Sequence, residues 1–233
     1  MSANASVLGR PEAVRSSVRD RIMPQPEAAP AAKFLRRSEF AQEQIRGLVR
    51  RTFLIGREPK ARQIVFAPLE AHFDITSICA RVAQALASES GADVALVEGM
   101  QVEERNLSSP AEGAGWIKAS CAQTSTNLWC VPTKTASPTG QQNARIRWLS
   151  FLADLRREFE YCVIQGPAVG TSSDAALLGQ LTDGIILVLG AHSTRKAAAR
   201  KTKEVLQGAE SRILGTVLSE RTFPIPERLY RRL

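Results

Sequence analysis

The chain has 233 residues, 44% of them hydrophobic and 23% charged, which is the composition of one ordinary globular domain with a tail rather than of two domains. Its net charge of +8 is spread unevenly, with 13 basic and 6 acidic side chains over residues 1–62, 8 and 13 over 63–190, and 10 and 4 over 191–233. Two basic flanks around an acidic middle exclude a uniformly basic nucleic-acid module and leave an acidic protein, an anionic membrane or DNA as partners for the flanks.

Residues 1–37 are rich in Ala, Ser, Pro and Arg and show no sustained period, and residues 23–32 hold three prolines. This predicts a disordered basic tail or linker, with the folded domain over 38–233. From Ser38 onward, Phe40, Ile45, Leu48, Val49 and Phe53 recur at helical spacing, which predicts a helix ahead of the core that closes near Pro59. Strand-like and helix-like runs then alternate. Strands are expected at 63–67, 94–97, 128–131, 161–164, 184–189 and 213–218. Helices are expected at 75–88, 145–159, 173–182 and 194–208. The helix at 145–159 is expected to face inward with Ile146, Leu149, Leu152 and Leu155. Most of these strands are apolar runs without alternation, so both of their faces are expected to be buried. Their alternation with helices predicts an α/β fold of three layers, α/β/α, around a mostly parallel doubly wound sheet. Residues 99–127 lack a clear period and read as loop, with a short helix around 115–122.

Cys79, Cys121, Cys130 and Cys162 form no C-x-x-C pair, and neither histidine lies at ligand spacing from them. Reduced thiols are expected, with no metal and no disulfide. No apolar run approaches the roughly 20 residues that span a bilayer, and residues 1–10 lack a hydrophobic signal core, so a cytoplasmic chain is expected.

In open parallel sheets, ligands bind beyond the carboxyl ends of the strands. Residues 68–74 join the first predicted strand to the helix after it, the place of a phosphate-binding loop. Four stretches around this layout resemble one family. EQIRGLVRRTFL (43–54) is similar to an E-x-x-R-x-x-R helix, with Glu43 and Arg46 matching and Val49 standing where the last Arg belongs. RVAQALAS is similar to the helix after the P-loop. EFEYCVIQGPAVGTSSDAALLGQLTDGIILVLGAHSTRKAA follows the pattern F-D-Y-V-I-I-D-x-P-P…D-A…D-G, and ILGTVLSERTFPIPERLYRRL resembles a last strand and tail. Together these resemble the bacterial tyrosine kinases of capsule and exopolysaccharide synthesis, within the MinD/ParA class of P-loop NTPases. The resemblance covers residues 38–233.

The resemblance implies a nucleotide site, and its positions can be read one at a time. A P-loop needs glycines so that backbone N–H groups wrap the phosphates, and a lysine to bridge them. The glycine positions here are His72 and Asp74, and the lysine position is Ile75. Thr76 keeps the hydroxyl of the Mg²⁺ position and is followed by Ser77. A second acidic motif keeps Glu98 and has Met100 for its other carboxylate. The Walker B aspartate position is Gln165. A hydrogen bond to a charged group is worth about 1.5–3 kcal/mol, so losing several such groups predicts a loss on the order of a thousandfold in MgATP affinity. No catalytic residue, no metal and no cofactor are therefore expected. Asp174 and Asp183 match acidic positions of the pattern but are expected to serve caps and turns. The chain holds two tyrosines. Tyr161 falls in a predicted strand, which leaves Tyr230 as the candidate phosphoacceptor that the resemblance implies.

The expected function is a degenerate, non-catalytic kinase-like protein, a regulatory or scaffold subunit of capsule or exopolysaccharide synthesis and export. The resemblance implies a membrane partner, a Wzz-like chain-length regulator (polysaccharide co-polymerase), together with an active kinase relative and a homo-oligomer built through Glu43 and Arg46. Two other readings stay open. One is a divergent tyrosine autokinase or ATPase that uses MgATP. The other is a MinD/ParA-like protein that binds DNA or anionic membrane through its basic flanks.

Overall fold

A computed structural model describes residues 37–55, 60–99, 115–132 and 144–220. The expectations for residues 1–36, for Met100, for Tyr230 and for the last residues of the chain lie outside the described residues.

The described chain opens with α1 (Arg37–Val49), which runs directly into a π-helical turn, Arg50–Leu54. There follow β1 (Gln63–Pro68), α2 (Thr76–Ser90), β2 (Val94–Val97), α3 (Trp116–Ser120), β3 (Ala122–Ser125) and β4 (Leu128–Val131). The order continues with α4 (Ala144–Glu158), β5 (Tyr161–Gln165), α5 (Asp174–Leu181), β6 (Gly184–Gly190), α6 (Lys196–Gly208) and β7 (Ile213–Ser219). The strands form a seven-stranded sheet in the order β3-β4-β2-β5-β1-β6-β7. All its pairings are parallel except β3 with β4.

β1, β2 and β5 are buried along their whole length, as uninterrupted apolar runs require. The strand period of two divides the core between the sheet faces. Ile64 and Phe66 of β1 pack with Cys79, Val82 and Leu86 of α2. Val65 and Ala67 face the opposite way, toward Leu155 of α4 and Leu178 of α5. α1 and its π-helical turn join the α2 layer through Val49 and Phe53, and Phe53 meets Tyr161 edge-on at 5.9 Å. Gly91 ends α2 in the left-handed region at φ 64°, where its N–H donates to Ala87 O.

Two sequence expectations are corrected. The inward face of α4 is Trp148, Phe151, Leu152 and Leu155, while Ile146 is 62% and Leu149 46% exposed. Apolar side chains stand on most sides of this helix, and the two aromatic ones, with the larger area to bury, set its rotation. In the region read as loop, residues 122–125 add an antiparallel edge strand, β3. Its largely exposed AQTS sequence carries no hydrophobic alternation, so pairing with β4 defines it. The turn between the two strands places Asn127 at φ 60°, a conformation that Asn tolerates.

Asp183 performs the structural duty expected of it. Its carboxylate accepts the amide N–H groups of Arg62 (2.7 Å) and Gln63 (2.8 Å) and pairs with Arg156 at 2.9 Å, tying the start of β1 to α4 and β6.

Candidate functional site

The sheet fixes where a site can form. β1 leads through α2 to β2 on one side, and β5 leads through α5 to β6 on the other. The crevice at the carboxyl ends of β1 and β5 is therefore a topological switch point. A cleft of about 570 Å³ lies there, walled by the loop before α2, by Gly99 after β2 and by the loop between β5 and α5.

The loop before α2 is held by its apolar residues. Phe73 and Ile75 are buried, so the position where a phosphate-binding lysine is expected instead anchors the start of α2 in the core. Beside it, the Asp74 carboxylate accepts the Thr76 amide N–H at 2.8 Å, at the first turn of α2. Hydrogen bonds from the Thr76 side chain and then from its amide hold Asp74 below the usual carboxylate range. A negative charge thus sits at the positive end of a helix dipole, supplied by the chain itself.

Gln165 closes the floor. It is 6% exposed, its Oε1 accepts the Gly99 N–H at 3.1 Å, and its buried Nε2 has no hydrogen-bond partner among the described residues. Gly166 follows it because a Cβ there would stand 2.6 Å from Val65 Cγ1. On the far wall, the Asp174 carboxylate accepts the Ser172 hydroxyl at 3.2 Å while the Asp174 N–H donates back to Ser172 Oγ, a turn that starts α5.

His72, Asp74, Ile75, Thr76 and Gln165 all line the cleft, and Ser77 and Glu98 are not part of its wall. His72 points to solvent and lies 3.3 Å from Glu70. Half-buried Glu98 acts on Cys130, whose thiol is pushed up to about 12, first by burial and then by its hydrogen bond to Glu98. The carboxylates of the described lining are Asp74 and Asp174, and it holds no Lys or Arg. The sequence reading did not place Thr171 and Ser172 in the wall. Their signal was the loop after the Gln-Gly-Pro of β5, at the carboxyl end of a central strand. Glu43 and Arg46 lie on α1, far along the chain from this cleft, and both are exposed.

No family model matches the chain. Among curated proteins it is 31% identical over 97 residues to the tyrosine-protein kinase CpsD of Streptococcus pneumoniae serotype 4, covering 40% of this chain and 42% of that one. It is 30% identical over 74 residues to the tyrosine-protein kinase YwqD of Bacillus subtilis, 31% of each chain. The matches thus span less than half the length of these relatives. Among solved structures, the chimerical protein CapA2B2 superposes with a TM-score of 0.59 at 19% identity, covering 76% of this chain and 83% of that one. The BceF tyrosine kinase domain gives 0.58 at 18%, covering 79% of each chain. The MinD cell division protein of Aquifex aeolicus gives 0.51 at 14%, covering 74% and 73%. At such identities the structures show the fold alone. The chain has the α/β fold of the MinD/ParA-like P-loop NTPases, and its sequence is similar to those of bacterial tyrosine kinases.

Proposed function

We propose that this chain is a non-catalytic, kinase-like P-loop protein that serves as a regulatory or scaffold subunit in capsule or exopolysaccharide synthesis. One observation carries the reading: the Asp74 carboxylate accepts the first-turn amide of α2, where a P-loop directs its amides to phosphate. The residues present do not fit a magnesium triphosphate. Asp74 repels its charge, buried Ile75 cannot bridge it, and neutral Gln165 supplies no charge to a metal's water shell. Thr76 retains a hydroxyl, but Asp74 engages it.

Under this reading the protein works by association. Its partners are a membrane chain-length regulator and an active tyrosine kinase relative, whose product is phosphotyrosine. The exposed Glu43 and Arg46 of α1 supply an oligomerising surface. Affinity purification of the tagged full-length chain from its native host tests this. Recovery of a polysaccharide co-polymerase or a tyrosine kinase, with altered polysaccharide output on deletion, is the expected result. Unchanged output together with neither partner contradicts it.

A further inference from the structure

A second groove, of about 350 Å³, lies away from the cleft, between the π-helical turn after α1 and the strands β6 and β7. This is the small end of the range of ligand pockets. Its floor is apolar and includes Phe53, Ile186 and Leu214, and its rim carries Arg51, Lys60 and Arg212. All three cations are exposed, and the described lining of the groove holds no carboxylate. Among the described residues, none of the three belongs to an ion pair. Several described cations are paired, Arg50 with Glu89, Arg62 with Glu160, Lys118 with Asp93 and Arg156 with Asp183, whereas the cations of α6 stand on a convex helix face in no ion pair among the described residues. What sets Arg51, Lys60 and Arg212 apart is that they share one concave rim.

The wall itself is unusual. Residues 50–54 form a complete π-helical turn, closed by a hydrogen bond of 2.6 Å from the Ile55 N–H to Arg50 O. Such turns are rare and concentrate at functional sites. Here the turn places Arg51 on the groove while Phe53, in the same turn, is buried against Tyr161.

We propose that this groove binds a phosphotyrosyl segment of a partner protein. Three rim cations without an acidic partner among the described residues match a dianion, and guanidinium groups grip phosphate in bidentate fashion. Half-buried Leu48 and Leu214, above the buried Phe53 and Ile186, give the phenyl ring an apolar surface that an inorganic phosphate or a phosphoserine cannot use. The volume suits one large side chain rather than a polymer. The source of the ligand rests on the partnership with an active tyrosine kinase proposed above, whereas the groove is independent of the cleft.

The test is fluorescence anisotropy of the full-length chain with a labelled Ala-Ala-pTyr-Ala-Ala peptide, beside its Tyr and pSer counterparts. The pTyr peptide is expected to bind at least about tenfold more tightly than either. Arg51→Gln and Arg212→Gln, both at exposed positions, are each expected to weaken it about tenfold. Leu214→Glu, which sets a carboxylate in a half-buried wall position, is expected to abolish it. Circular dichroism checks that each variant is folded. Equal binding of the pTyr and Tyr peptides, equal binding of the pTyr and pSer peptides, or pTyr affinity indifferent to Arg51→Gln and Arg212→Gln overturns the proposal. Nucleotide binding in the cleft overturns only the non-catalytic reading, so the two failures are distinguishable.

Discussion

Asp74 shows how one residue redirects a loop. Its side chain closes a short hydrogen-bonded turn onto Thr76 and supplies the negative charge that the end of α2 attracts. Because its pKa is lowered in the folded protein from 3.8, its contribution to stability is present above that pH and is lost as pH falls through the folded-state value. Asp74→Ala is therefore expected to lower the thermal midpoint at pH 7, and the gap from the parent chain is expected to narrow progressively as pH falls below about 3.8. Thermal melts at several pH values check this, and a constant gap down to pH 2 contradicts it. His72, Asp74, Ile75, Thr76 and Gln165 were legible at the cleft through the family resemblance, whereas Thr171 and Ser172 were not, and Ser77 and Glu98 fall outside its wall. The bonds within the cleft were not legible. Nothing in the order His-Phe-Asp-Ile-Thr shows that Asp74 turns back onto Thr76, or that Gln165 reaches across the sheet to Gly99.

At the scale of elements, the strands could be read closely because burial on both faces leaves uninterrupted apolar runs. The observed ends of β2 and β4 coincide with those read from sequence, and β1, β5 and β7 extend one residue further. Helix rotation was harder to read. α4 has apolar residues at 146, 148, 149, 151, 152 and 155, so a 3.6 period can be drawn through more than one face. Packing decides for the face with Trp148 and Phe151, which meet at 6.3 Å. Leu155→Ala, fully buried, is expected to cost about 2–5 kcal/mol, and Leu149→Ala, 46% exposed, less than about 0.5 kcal/mol. Urea denaturation of both variants measures the difference, and equal losses contradict the assignment. β3 escaped the sequence reading for a related reason: an exposed polar edge strand is specified by its neighbour, not by its own pattern.

At the scale of the whole molecule, charge and fold tell one story. The acidic middle of the sequence forms most of the sheet and its central cleft, with carboxylates from Asp74 and Asp174 and no Lys or Arg in the described wall. Basic residues from distant parts of the chain gather elsewhere. Arg51 and Lys60 precede β1, Arg212 precedes β7, and only the fold brings them to one groove. That groove was illegible in the sequence, since its members lie more than 150 residues apart. The basic face of α6 is the simpler case, with Lys196, Arg200, Lys201 and Lys203 exposed around the buried Thr202 and Leu206, as a solvated amphipathic helix requires. In the proposed function the fold persists while its phosphate site does not. Isothermal titration calorimetry of the full-length chain with ATP and excess Mg²⁺ tests it most directly. No binding tighter than about 1 mM is expected, the consequence of a loss on the order of a thousandfold, whereas a micromolar dissociation constant with one-to-one stoichiometry contradicts the proposed function.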